Sequence, residues 1–178
     1  MTSDSAAQPF TVRAARTADV PGIQALIAPF VEQNILLNKQ RVVYYEAVQE
    51  FRVAVAATPG SDAGEIIGCG ALHVIWDDLG EVRTLAAAEA WRGAGVGHAI
   101  LSRLEDDARQ LGLTRLFCLT FETEFFASHG FTEIGEGVVS PDVYAELERS
   151  HDEGVAEFLD LARVKPNTLG NTRMLKRL

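Results

Sequence analysis

The chain has 178 residues, 25 acidic and 16 basic side chains, and a formal charge of −9. That length fits one domain with a real core, hiding roughly 70% of the unfolded surface, and the 47% apolar content excludes wholesale disorder. The acidic balance argues against a nucleic-acid surface, which needs a clustered positive field, and any anionic substrate must therefore meet a local basic pocket.

No apolar run approaches the ~20 residues that span a bilayer. The start, Met1-Thr2-Ser3-Asp4-Ser5, shows no basic region followed by an apolar stretch, so no secretory signal is read there. Cys69 and Cys118 make no CxxC pair and sit in apolar runs, as inert core thiols do. A reduced, cytoplasmic compartment is expected. His73, His98, His129 and His151 share no metal-ligand spacing, and no metal site is expected.

Residues 1–9 read as a flexible tail and 10–178 as the domain. A strand is predicted over 10–15. Thr17 then offers an N-cap, Asp19 complements the helix dipole and Pro21 fits the first turn. Val20, Ile23, Ile27 and Val31 recur at helical spacing, and Pro29 kinks or closes that helix. A second helix is predicted around 43–50.

The period then changes. Residues 51–57 read as a strand, 59–64 as a hairpin loop, 66–76 as a strand in which Gly68 and Gly70 signal a bulge or close backbone approach, and 81–87 as a third strand. Short connections make these three an antiparallel meander. A helix follows, its buried stripe marked by Ile100, Leu101, Leu104, Ala108 and Leu111, with Gly112 as its stop. Residues 115–120 read as a strand, 122–129 as a short helix, 131–139 as strand-like, 141–150 and 154–163 as helices, and 171–178 as a closing strand. The fold class is a single α+β domain.

The most informative segment runs from Leu85 to His98. A strand enters Arg92-x-x-Gly95-x-Gly97, where the helix begins. Glycines let successive N–H groups converge on one point, and the helix dipole adds positive potential, which together make a pyrophosphate cradle. A dinucleotide fingerprint would need glycine at position 98, where His98 stands, and no Walker sequence occurs. The alternative is that Gly93, Gly95 and Gly97 merely make a tight turn.

This loop after Leu85-Ala86-Ala87, with Val12-Arg13-x-Ala15-x-x-x-Asp19 before it and Phe125-Phe126-Ala127-Ser128-His129-Gly130-Phe131 after it, resembles the GNAT acetyltransferase superfamily over roughly residues 10–139. The segments Gln33–Leu37, Gly68–His73, Trp76–Ala86 and Glu122–Phe126 are similar to short stand-alone bacterial amino-acid N-acetyltransferases of the N-acetylglutamate synthase type. The resemblance implies a mixed, mostly antiparallel central sheet flanked by helices. It implies acetyl-CoA as donor and the α-amine of glutamate, or of glutamine, as acceptor in the first step of arginine biosynthesis. It leaves no room for the arginine-binding domain of longer relatives. A homodimer is compatible with it; nucleic acid and membrane are not expected partners.

On that resemblance the amides of Arg92, Gly93, Ala94, Gly95, Val96, Gly97 and His98 hold the pyrophosphate, and Leu85, Ala86 and Ala87 pair with the pantetheine arm. Arg92 adds charge or is a solvated cation. Glu81 and Arg83 alternate with Val82 and Thr84 and so share one strand face. Glu81 is the candidate base for the acceptor ammonium, directly or through water, and Arg83 the bidentate ligand of its carboxylate. Their alternative is a salt bridge to each other or an exposed edge. Lys39 and Arg41, and more weakly Asn171, Thr172 and Arg173, are candidates for the second carboxylate. Phe126 stands where many relatives place a proton-donating tyrosine, so water, Tyr144 or Ser128 is left to serve the leaving thiolate. Two rivals remain: a different amine acceptor (a protein N-terminus, a polyamine, an aminoglycoside), and a non-catalytic acetyl-CoA-binding module.

Overall fold

The computed structural model describes residues 9–57, 64–135, 138–159 and 170–178. Residues 1–8 of the expected tail, all but Gly64 of the 59–64 loop and the end of the helix expected over 154–163 lie outside them. Seven strands form one sheet in the order β1-β2-β3-β4-β5-β7-β6: β1 Phe10–Ala14, β2 Phe51–Ala56, β3 Ile66–Val74, β4 Leu79–Ala87, β5 Arg115–Thr120, β6 Thr132–Glu133 and β7 Thr172–Arg177. Helices α1 Val20–Glu32, α2 Arg41–Glu46, α3 Val96–Gln110, α4 Thr123–Ser128, α5 Pro141–Leu147 and α6 Glu153–Phe158 flank it. The sheet is mostly antiparallel, with β4 and β5 parallel. By their contacts the residues form two compact units, Met1–Ala71 with Thr84–Leu104, and Leu72–Arg83 with Glu105–Leu178.

In the first unit, Asp19 works differently from the dipole role expected. Its carboxylate accepts both Arg13 guanidinium nitrogens, at 2.6 and 2.9 Å, and the Arg16 amide at 2.7 Å. The Arg13 hydrogen bonds hold that carboxyl below its ordinary pKa. The chain therefore makes a 3₁₀ turn over Thr17–Asp19 before α1 begins at Val20. Helix α1 continues past Pro29 and ends at Glu32, within one turn of it. The expected second helix divides into α2 and a 3₁₀ turn at Val48–Glu50. Val20, Ile23 and Ile27 pack with Tyr44, Phe51, Val53, Val55 and Cys69 into one cluster, each large side chain contributing about 1.5–3 kcal/mol by burial. Burial alone pushes the Cys69 thiol up to about 12, which keeps it inert.

Both expectations for the glycines of β3 are met. The β2–β3 register shifts so that Ala54 faces Gly68 and Val55 faces Ile66. A Cβ at Gly68 would lie 2.5 Å from Val96 and 2.8 Å from Ile100; one at Gly70 would lie 2.8 Å from Ile100 and 3.1 Å from Leu104. Only bare backbone lets the first turns of α3 seat this closely on β3.

In the second unit, α3 ends in a Schellman motif: Gly112 (φ +86°) donates to Arg109 O and Leu113 to Ala108 O. This corrects the buried stripe. Leu111 is 62% exposed, and Leu113 is buried in its place because the left-handed turn at Gly112 redirects the chain. Strand β5 pairs in parallel with Leu79–Val82 of β4 and antiparallel with β7. Arg115 grips Asp78 through two nitrogens, at 2.8 and 2.9 Å, and Val138 O at 2.7 Å. Of the strand-like stretch 131–139, whose residues 136–137 lie outside the described ones, Thr132–Glu133 pair with β7 and Ile134 donates to Arg173 O at 3.0 Å. Ile75, Leu79, Phe117, Leu147, Val155 and Phe158 form this unit's core, with Phe117 edge-on to Phe158 at 5.0 Å between centroids.

Candidate active site

Strand β4 carries two sets of expected site residues, and each unit holds one. In the first unit, β4 leaves the sheet at Ala88, whose amide donates to Ile67 O, and makes a 3₁₀ turn over Glu89–Trp91. Gly93 and Gly95 both take φ +81°, a conformation that costs other L-residues about 1–2 kcal/mol. A Cβ at either position would meet nothing within 4 Å, so the turn faces open space. Ala99 donates the first intrahelical bond of α3, to Gly95 O. Ahead of it the Arg92 and Ala94 amides are spent on Glu89 O and Trp91 O, each at 3.1 Å, and the other amides of the turn stand at the helix N-terminus with the positive end of the dipole behind them. These features suit an anionic diphosphate. Arg92 is 81% exposed and pairs with Glu89 at 3.4 Å, a solvated contact worth little by itself. His98 is exposed, Leu85 and Ala87 are half-buried, and Ala86 is buried.

Thr84 was not singled out by sequence reasoning. It sits inside β4 at φ +53°, a genuine outlier for a β-branched residue. Such a conformation costs about 1–3 kcal/mol and breaks the regular alternation of a strand. Its carbonyl accepts a weak contact from the Cys69 thiol at 3.4 Å. No residue-type pattern announces a positive φ at a threonine.

In the second unit, Glu81 and Arg83 do share a strand face. Arg83 Nε donates to Glu81 Oε2 at 2.6 Å, Nη1 donates to Asp152 Oδ2 at 3.1 Å, and Nη2 donates to Asp152 Oδ1. His73 Nε2 stands 3.8 Å from Asp152 Oδ2. Glu81 is only 4% exposed. Burial pushes its carboxyl above the ordinary range, with Arg83 pulling the other way. Arg83 is itself held above its ordinary value, because two carboxylates outweigh its burial. Burial alone would raise Asp152 too, yet its hydrogen bonds from Arg83 and the Val155 amide bring it below the usual carboxylate range. One guanidinium thus faces two carboxylates, and the more deeply buried one, Glu81, has the greater affinity for a proton.

Asp152 was also missed. It is the N-cap of α6, accepting the Val155 amide on Oδ1 at 3.1 Å, which is why that helix begins at Glu153 rather than at Gly154. An Asp ahead of a short helix is a legible cap signal; its reach to Arg83 is not. Gly154 follows, and a Cβ there would overlap Glu81 Oε2 and come within 2.5 Å of Arg83 Nη2.

The remaining candidates are placed as follows. Lys39 is half-buried just before α2, and Arg41 opens α2 exposed, with its Nε on Gln24 Oε1 at 2.9 Å; both belong to the first unit. Asn171 precedes β7, Thr172 begins it, and Arg173 donates to Phe158 O at 3.1 Å. Phe126 is buried edge-on between Phe125 and Phe131, at 5.2 and 5.1 Å. Ser128 donates to Phe125 O at 2.6 Å, and Tyr144 is exposed. Among the described residues no His, Cys, Asp or Glu cluster could hold a metal ion, and no helix is long and apolar enough to cross a membrane.

Residues 30–135 match the acetyltransferase (GNAT) family. An amino-acid acetyltransferase of Mycobacterium tuberculosis is 57% identical over 164 residues, 92% of either chain. An amino-acid acetyltransferase of Pseudomonas putida is 39% identical over 126 residues, 70% of this chain and 28% of its own longer one. Among solved structures, a Mycobacterium tuberculosis protein in complex with CoA superposes with a TM-score of 0.85 at 57% identity, covering 94% of this chain and 99% of that one. The N-acetylglutamate synthase of Neisseria gonorrhoeae, complexed with coenzyme A and N-acetyl-glutamate, gives 0.73 at 28% identity, covering 95% of this chain and 35% of that one.

Proposed function

Because the chain belongs to the acetyltransferase (GNAT) family, we propose that it transfers the acetyl group of acetyl-CoA to the α-amine of glutamate or glutamine. The observation that carries the acceptor is the pair of buried Glu81 and half-buried Arg83 on β4, a base beside a carboxylate ligand. The donor reading rests on the open glycine turn ahead of α3 and on the CoA complexes of the relatives just described. An N-acetylglutamate product would open arginine biosynthesis, in the cytoplasm where acetyl-CoA is made available.

The amides of Gly93, Gly95, Val96, Gly97 and His98 hold the pyrophosphate, those of Arg92 and Ala94 being bonded to Glu89 O and Trp91 O, and Leu85, Ala86 and Ala87 offer backbone to the pantetheine arm. Arg83 orients the α-carboxylate of the acceptor, and Asn171 and Arg173 of the same unit serve its other end. Glu81 takes a proton from the acceptor ammonium, directly or through water, and its burial makes it a stronger base than a solvated glutamate. The freed amine attacks the thioester carbonyl carbon, the nitrogen of the tetrahedral intermediate gives up its second proton to solvent, and collapse breaks the C–S bond to release N-acetyl product and CoA thiolate. Phe126 cannot protonate that thiolate, and solvent does so.

The test is thiol release from acetyl-CoA with each of the twenty amino acids, products identified by mass. Stoichiometric N-acetylglutamate or N-acetylglutamine with CoA is the expected result. Release with polyamines instead, or CoA binding with no turnover of any amine, overturns the reading.

A further inference from the structure

We infer that Asp152 is a built-in stand-in for the acceptor's carboxylate, seated on the Nη1–Nη2 fork of Arg83 until the acceptor displaces it. This rests on the reading of Arg83 as the carboxylate ligand. The fork is where a planar carboxylate binds a guanidinium bidentately, and Asp152 occupies it with both oxygens. Glu81 instead takes the Nε edge. The two carboxylates differ in access: the Asp152 side chain is 30% exposed against 6% for Glu81. The outer carboxylate is the one an incoming acid can replace.

The exchange leaves no buried charge alone. Arg83 trades one carboxylate for another and keeps Glu81 throughout, which avoids the penalty of stripping a buried cation. Asp152 retains the Val155 amide, and it has water on its exposed side. Gly154 lets the segment close on Arg83, since a side chain there would strike Glu81 and Arg83. Asp152 therefore competes with the acceptor: the apparent acceptor KM is the intrinsic value divided by the fraction of molecules whose fork is open. Acetyl-CoA meets no such competition.

The experiment compares Asp152→Asn and Asp152→Ser, both good N-caps that lack the charge, with the parent chain and Arg83→Ala. Acceptor and acetyl-CoA KM are measured separately. The inference expects the acceptor KM to fall about three- to tenfold in both Asp152 variants, with acetyl-CoA KM unchanged. An acceptor KM that stays constant or rises in them overturns it, since a purely supporting Asp152 would weaken acceptor binding when lost. Arg83→Ala separates the two levels. A raised acceptor KM there, without the fall in the Asp152 variants, rejects the stand-in alone. An unchanged acceptor KM in Arg83→Ala rejects the reading beneath it and the stand-in together.

Discussion

Arg83 Nε lies 2.6 Å from Glu81 Oε2, two residues back on the same strand, with Glu81 buried and Arg83 half-buried. Strand alternation puts the two side chains side by side, so their contact is a local consequence of the sequence. The contact does not bring the Glu81 carboxyl down to an ordinary value, because burial outweighs it.

The pH profile follows from that. With Glu81 as base, kcat/KM climbs with pH through its raised pKa and levels off above it. Glu81→Gln is expected to cost about a hundredfold or more in kcat and to remove that rise. A variant with full kcat across the pH range would place the base elsewhere.

Stability carries opposite signatures from the two carboxylates. Asp152 lies below its ordinary value, so its contribution is complete above about pH 4 and is lost as pH falls through the folded pKa. Glu81 lies above its ordinary value, so ionising it costs the fold as pH rises from about 4.3 towards its folded pKa. Denaturant unfolding across pH 2–8 should therefore lose part of its acid-side slope in Asp152→Asn, Asp19 keeping its own share, and its higher-pH slope in Glu81→Gln. The same slope lost in both variants would refute the separation.

Gly154→Ala should behave unlike an ordinary helix glycine substitution. At an unobstructed position alanine stabilises a helix by about 0.5–1 kcal/mol. Here the methyl group meets Glu81 and Arg83, and overpacking of this kind costs about 1–3 kcal/mol. Thermal unfolding reads the sign directly, and a raised Tm contradicts the packing described.

Gly95→Ala tests the glycine turn. The methyl group would enter open space, so no clash accompanies the positive φ, and the stability cost is about 1–2 kcal/mol. The acetyl-CoA KM should rise at least tenfold while the acceptor KM stays near the parent value. Equal changes in both would remove the turn from donor binding.

What the sequence discloses is what local physics dictates. The glycine turn, the close seat of α3 on Gly68 and Gly70, and the Glu81–Arg83 face follow from residue type and period. Leu111 misleads because the helical period continues through it, while the Schellman turn at Gly112 hands its buried place to Leu113. Strand β6 is shorter than its apolar stretch: its ladder with β7 covers Thr132–Glu133, and contact continues only to the Ile134 amide on Arg173 O among the described residues. Thr84 and Asp152 stay hidden for different reasons. Nothing in a threonine foretells φ +53°, and the reach of Asp152 to Arg83 spans 69 positions of sequence.

The central claim is that the acceptor is an amino acid held by its α-carboxylate. The most direct measurement is kcat/KM for L-glutamate and L-glutamine against 4-aminobutyrate, which is glutamate without its α-carboxylate. 4-Aminobutyrate has no α-carboxylate to bind the Arg83 fork bidentately, so a preference of about a hundredfold or more for the amino acids is predicted. Comparable turnover of 4-aminobutyrate would contradict it.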